Sequence, residues 1–346
     1  MSGTVSDHIL AAALLDAWQA TVPSASPSVL ALGARIELLE RLPAVTAVQP
    51  FKPFVDPMTA TGHDVLADLA GLAPDQHFQR VMVWPSPVRA AARAELAAAA
   101  QRCTDGGMLI CAQHNERGAR SLQSDVEALF GRVEVLSKHR CRALVVSQPH
   151  ARCNAALAQE WLLAGAPQWC APLSLWTQAG VFAARRIDAG SALLMQALPT
   201  DLSGSLADLG AGAGVLSAHV AKHCPALSRM DLYEADARAL GLAKRNLGAL
   251  AVPYEVHWHD VTRGLPRHYD VVISNPPFHA GGAQSHELGQ QFLRTAISAI
   301  APGGELWLVA NRHLPYESLL MQGLGNVLTV LQADGYKVLH ARKAHV

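Results

Sequence analysis

No apolar run in this chain approaches the roughly 20 uninterrupted residues that a membrane span needs. The N-terminus also lacks the basic segment that opens a secretory leader. The expectation is a soluble, cytoplasmic protein with no membrane partner. Charge of one sign is equally scarce: Lys and Arg total 28, Asp and Glu total 28, and the formal net charge is zero. This excludes a protein that coats nucleic acid by bulk charge alone and leaves room for a local basic patch. Between Arg89 and Arg152 ten basic residues stand against six acidic ones, an excess that a solvated helix face would also give. The six cysteines, Cys103, Cys111, Cys141, Cys153, Cys170 and Cys224, form no CxxC pair. A zinc framework or disulfide scaffold is therefore not expected, and they read as reduced thiols. "HWH" at 257 to 259 sets two imidazoles on one strand face without an evident third ligand, so no metal is expected.

A length of 346 residues suggests about two domains, at roughly 150 residues each. From 80 to 148 the chain alternates between strand-like and helix-like segments: "RVMVWP", "VRAAARAELAAAAQRC", "GGMLICAQ", "SLQSDVEALFG", "CRALVVSQ". That rhythm is an α/β layer with a mainly parallel sheet. What this half lacks is a glycine-rich corner: "LALGARIELLERLPAVTAVQP" offers Gly33 alone. It reads as a nucleotide-binding type of fold without a nucleotide site. From Pro149 to about Trp176 the chain reads as a linker with a short helix, "NAALAQEWLLAG".

The second half has what the first lacks. "DLGAGAG", 208 to 214, follows a small apolar strand and precedes a helical segment. Gly210, Gly212 and Gly214 permit a tight turn and close backbone approach at a strand's carboxyl end, although such glycines are often only structural. Glu234 ends the next strand, where a carboxylate can accept both hydroxyl hydrogens of a ribose. Asp260 ends the third, where it can accept from an adenine amine. The fourth, "YDVVISNPPF", stops at two prolines that cannot donate to a ladder. There Asn275 offers a side-chain carbonyl and Pro276 a backbone carbonyl, with Pro277 helping to hold the turn rigid. Two such acceptors beside a planar NH2 group favour a pyramidal nitrogen and aim its lone pair. Phe278 offers a face for a splayed base. An Asn-Pro turn that merely ends a strand is the plain alternative. The terminal "NVLTVLQADGYKVLHARK" reads as a hairpin turning at Asp334-Gly335.

Glycines, Glu and Asp on successive strand ends resemble the nucleoside site of class I S-adenosylmethionine-dependent methyltransferases. With "NPPFH", "GVFAARRIDAGSALL", "LADLGAGAGVLS" and "GGELWLVANRHLPY", the chain resembles the bacterial ribosomal RNA guanine-N2 methyltransferases, in the small-subunit (16S) pattern. The resemblance is dense from Gly180 onward and looser in "VWPSP", "QHNERGARS" and "KHRCRALVV". It is poor over residues 1 to about 75.

The resemblance implies two Rossmann-like methyltransferase domains in tandem. Residues 1–165 would be degenerate and serve RNA binding or stability, and 166–346 would be a catalytic seven-stranded sheet. It further implies S-adenosylmethionine as cofactor, ribosomal RNA in the small subunit or its precursor as partner, and a monomer. Asp208 would lie near the methionine ammonium, Gly210 and Gly212 against the cofactor, and Glu234 on the ribose. Asp188 and Ser191 would contact the methionine end, or else cap the helix that follows them. The same corner chemistry serves a large-subunit guanine, adenine N6, cytosine N4 and a protein glutamine amide. A non-catalytic ribosome-assembly factor is the reading from another class, but it predicts decay of Asp208, Glu234, Asp260 and Asn275, which are all present.

Overall fold

The computed structural model describes residues 5–21, 27–42, 44–182, 186–248, 250–277 and 283–345. They form two compact units, the first from Met1–Pro167 and Gln178–Gly180, the second from Gln168–Thr177 and Val181–Val346.

The first unit carries β1 (Val29–Leu32), β2 (Val45–Val48), β3 (Val65–Leu66), β4 (Phe78–Val83), β5 (Cys103–His114), β6 (Glu134–Lys138) and β7 (Cys141–Ser147). They form one sheet in the order β3-β2-β1-β4-β5-β7-β6. β7 is antiparallel to both its neighbours, and the other pairings are parallel. One face is covered by a cluster around Leu30, Val81, Leu109 and Leu144, the other by a cluster around Leu14, Ala31, Met82 and Ile110. A parallel strand covered on both faces is apolar at consecutive positions, as in the fully buried run Val81, Met82, Val83.

The second unit opens with a small hairpin, β8 (Gln168–Cys170) and β9 (Leu175–Thr177), inside the stretch expected to be linker. The helix expected there is present over Ala155–Gly165, capped by Asn154. The main sheet comprises β10 (Ser203–Leu209), β11 (Ala226–Glu234), β12 (Tyr254–Trp258), β13 (Tyr269–Ser274), β14 (Ile300–Asn311), β15 (Val327–Ala333) and β16 (Tyr336–Arg342). Its order, β12-β11-β10-β13-β14-β16-β15, repeats that of the first sheet strand for strand. The closing hairpin turns at Asp334 and Gly335, both at positive φ. Because β10 and β13 are direct neighbours, the glycine corner and the Asn-Pro-Pro corner emerge side by side.

Candidate functional site

The corner after β10 is built by its glycines. Gly210 and Ala211 donate their N–H groups to the Tyr233 carbonyl at 2.8 and 3.1 Å. This bends the chain sharply enough that Gly210 (φ 72°), Gly212 (φ 55°) and Gly214 (φ 81°) all take left-handed backbone. A Cβ on Gly212 would meet nothing within 4 Å among the described residues, so its α-carbon faces open space there. At Gly214 the close approach is to a neighbouring helix. A Cβ there would meet Ala243 at 3.2 Å, so it lets the helices Val215–His223 and Ala237–Leu247 pack closely.

Three carboxylates stand around this corner. Asp208 is fully buried, and its Oδ2 accepts from the Ser217 hydroxyl at 2.7 Å while Oδ1 has no partner among the described residues. Burial pushes its carboxyl up to about 7, against the Ser217 hydrogen bond and with help from the nearby Glu234. An orphaned, buried carboxylate oxygen is costly unless a donor or cation meets it, and it suits the ammonium of an amino-acid ligand. Glu234 accepts from the N–H of Gly212 through Oε2 and of Asp236 through Oε1, each at 2.8 Å. Burial raises its carboxyl too. These bonds fix the carboxylate at the end of β11 and leave lone pairs for ligand hydroxyls. Asp260 is buried at the end of β12, its Oδ1 accepting the N–H and hydroxyl of Thr262.

On β13, Ser274 locks its strand to β10 by donating to the Leu209 carbonyl at 2.7 Å. The next residue, Asn275, is held in a way the sequence did not disclose. Its Nδ2 donates to Asp188 Oδ2 at 2.9 Å and to Ser191 Oγ at 2.8 Å. Both amide hydrogens are thereby engaged, which orients Oδ1, the acceptor, away from these anchors. Asp188 is also the N-cap of the helix Ala189–Ala197, accepting from the Ser191 N–H, so the capping alternative holds. The pair also converges on Asn275. Pro276 is buried and Pro277 exposed. Phe278 lies outside the described residues.

The first unit supplies an internal comparison. Leu32 pairs with Val48 and Val83, as Leu209 pairs with Tyr233 and Ser274. The residues that follow therefore correspond: Gly33 with Gly210, Arg35 with Gly212, Gln49 with Glu234, Trp84 with Asn275. Gly33 keeps the left-handed φ of 67°, but the side chains differ throughout. The Arg35 guanidinium lies 3.7 Å from the Phe54 ring centroid and 5.1 Å from that of Trp84. Its Nη1 donates to the carbonyls of Gly33 and Ala34. Burial lowers the guanidinium to about 10. Space that is open beside Gly212 is filled here by an arginine and two rings.

The "HWH" strand meets acids that the linear spacing could not place. His257 Nε2 lies 3.2 Å from Asp231 and 3.8 Å from Glu255. Arg229 Nη2 bridges the same two carboxylates at 2.9 and 2.8 Å. A guanidinium already supplies the cation in that cluster.

A seven-stranded sheet with its sixth-placed strand antiparallel, a glycine corner after the first strand and Asn-Pro-Pro after the fourth define a class I methyltransferase domain. Residues 172–340 match the Methyltransferase small domain family. Ribosomal RNA small subunit methyltransferase C of Pseudomonas paraeruginosa is 36% identical over 252 residues, covering 72% of this chain and 74% of the relative. Its namesake in Shewanella pealeana is 29% identical over 270 residues, covering 77% and 78%. The chain belongs to the ribosomal RNA small subunit methyltransferase C family. The same fold is found in the Thermus thermophilus 16S rRNA N2 G1207 methyltransferase, solved with AdoMet and guanosine, with a TM-score of 0.77 at 24% identity over 95% of this chain and 91% of that one.

Proposed function

We propose that this protein transfers a methyl group from S-adenosylmethionine to the exocyclic N2 of a guanine in 16S ribosomal RNA, within the small subunit or its precursor. The observation that carries the reading is the anchored amide of Asn275 next to the glycine corner. It is an acceptor fixed before substrate arrives, as electrostatic catalysis requires.

In this reading Asp208 Oδ1 receives the ligand's ammonium, Glu234 its ribose hydroxyls and Asp260 its adenine amine. Gly210 and Gly212 let the ligand lie against the backbone. When bound, the cofactor supplies a methyl group made electrophilic by a sulfonium. Asn275 Oδ1 and the Pro276 carbonyl accept the two N–H groups of the guanine amine. They draw its lone pair out of conjugation with the ring and direct it along the C–S axis. The N–C bond forms as the C–S bond breaks, the electron pair stays on sulfur, and the amine proton leaves to water afterwards. Phe278 stacks on the base that carries the amine. The first unit, with its corner filled, takes no part in this chemistry and serves RNA binding and the stability of the chain.

The test is to map N2-methylguanosine in 16S rRNA from cells with and without this protein. Loss of one mark, restored by the wild-type gene and not by an Asn275→Ala variant, is the expected result. An unchanged pattern refutes the proposal.

A further inference from the structure

Both sheets close with the same antiparallel hairpin, and the two tips differ. In the second unit, Asp334 (φ 50°) and Gly335 (φ 81°) make the turn. In the first, the equivalent residues are His139 (φ 54°) and Arg140 (φ 57°). The equivalence extends to the neighbouring strand: Asn115 N–H donates to the Arg140 carbonyl at 2.9 Å, as Arg312 N–H donates to Gly335 at 2.8 Å. A two-residue hairpin of type I′ needs left-handed backbone at both central positions, and Asp-Gly or Asn-Gly is the usual solution. Side-chain-bearing residues there are strained, and such strain persists mainly where a function keeps it.

What the strained pair provides is positive charge held outward. Lys138, His139 and Arg140 are all exposed at the tip, and so is Arg117 beside it at the end of β5. Arg142 is steadied by donating to Gln123 at 2.7 Å. The facing acids are fewer. Asp16 accepts from Lys138 at 2.6 Å and His139 at 2.9 Å, and Glu116 is exposed next to Arg117. Four permanent cations thus face two carboxylates on a chain whose net charge is zero. The tip projects at the carboxyl edge of its own parallel strands, since β7 starts where β5 ends.

We propose that this hairpin tip is a phosphate-backbone contact for the RNA, with Arg140 and Lys138 as the principal cations. The inference rests on the RNA methyltransferase reading above. Contacts of this kind position a nucleic acid without reading its bases, and each neutralised phosphate steepens the salt dependence of binding by about 0.7 to 0.9 in log–log slope.

The second hairpin supplies the test variant. The graft Arg140→Gly gives the first tip the glycine of the second and leaves Lys138, His139 and their Asp16 contacts in place. Binding is measured against salt concentration with a 16S rRNA transcript or purified small subunits, whichever the wild type methylates. The expected result is a higher melting temperature, a salt slope lower by about 1 and affinity weaker by about tenfold at 0.1 M salt. Adding Lys138→Ala lowers the slope by about 1 again. Cofactor affinity stays unchanged. Unaltered RNA affinity and slope in the graft overturn the proposal, as does a lower melting temperature, which would mean the native tip is not strained. A wild-type protein that methylates neither RNA refutes the functional reading itself. Methylation by the wild type with an unaffected graft refutes the hairpin alone.

Discussion

The anchored amide can be separated from the mere presence of an acceptor oxygen by Asn275→Asp. The variant keeps the size of the side chain and gives the guanine amine a stronger acceptor. If an oxygen at that place were sufficient, the variant would turn over well. The surroundings argue otherwise, because Asn275 Nδ2 sits 2.9 Å from Asp188 Oδ2 and 2.8 Å from Ser191 Oγ. Replacing the amide nitrogen by oxygen sets two carboxylates in contact, a repulsion of roughly 5 kcal/mol at an effective dielectric of 20 and less where water reaches the pair. The side chain relieves it by swinging away or by sharing a proton with Asp188. Swinging away removes the aimed acceptor, a loss of about 100-fold or more in kcat by analogy with other preorganised donors and acceptors. Sharing a proton restores a hydrogen bond in place of the lost one and is favoured at low pH. The expectation is therefore methyl transfer down about 100-fold at pH 8, partly recovered at pH 6, with cofactor affinity within a few-fold of wild type. Transfer is followed with a labelled methyl group and affinity by calorimetry. Near-normal turnover of Asn275→Asp at pH 8 would refute the anchoring argument, and so would a loss that deepens as pH falls.

Two further outcomes follow from the buried carboxyl and from the filled corner. Burial holds the Asp208 carboxyl at about 7. A cationic ligand favours its ionised form, so cofactor affinity should rise as pH rises toward 7, by at most about tenfold per unit, and level off above it. Stability of the ligand-free protein should move the other way, falling between about pH 4 and 7, since the folded group lies above its ordinary value of 3.8. Calorimetry and melting curves across pH check both, and Asp208→Asn should weaken both trends, leaving the part of the stability slope that the raised Glu234 carboxyl contributes. Because Arg35, Phe54 and Trp84 occupy the first unit's corner, titration should give one cofactor per chain. A stoichiometry of two would mean that the arginine is displaced.

The catalytic sheet was legible because its signals are contiguous. The glycine corner, the acids at successive strand ends and the double proline each lie within a few residues of a strand whose composition identifies it. The anchors of Asn275 were not, for Asp188 and Ser191 reach it across 87 and 84 residues of chain. Only the fold brings them there. Gly214 shows another contribution the motif alone does not disclose: its α-carbon lies against Ala243, where a side chain would not fit. The start of the chain resisted reading because its elements are short. β1 and the helix Ile36–Leu39 have four residues each and β3 has two. Such lengths carry little periodicity. The hairpin of three-residue strands β8 and β9 passed for linker for the same reason.

The two corners also show how little backbone need change for a site to be lost. Ala34 donates to the Val48 carbonyl as Ala211 does to Tyr233, and the glycine before each is left-handed. Gln49 reaches the Ala34 carbonyl from the place where Glu234 reaches the Gly212 N–H. The turn survives because it closes the first strand onto the second, a structural need both sheets share. What differs is whether the space it creates is left open. Gly212 leaves it open, and in the same unit the buried Asp208 keeps an Oδ1 without a partner among the described residues and a raised carboxyl. Arg35 closes it with a buried guanidinium whose Nη1 donates to two carbonyls and whose plane lies against two rings, while its Nε has no partner among the described residues. One corner is filled by the chain's own side chains, and under the function proposed above the other gains stability when its ligand binds.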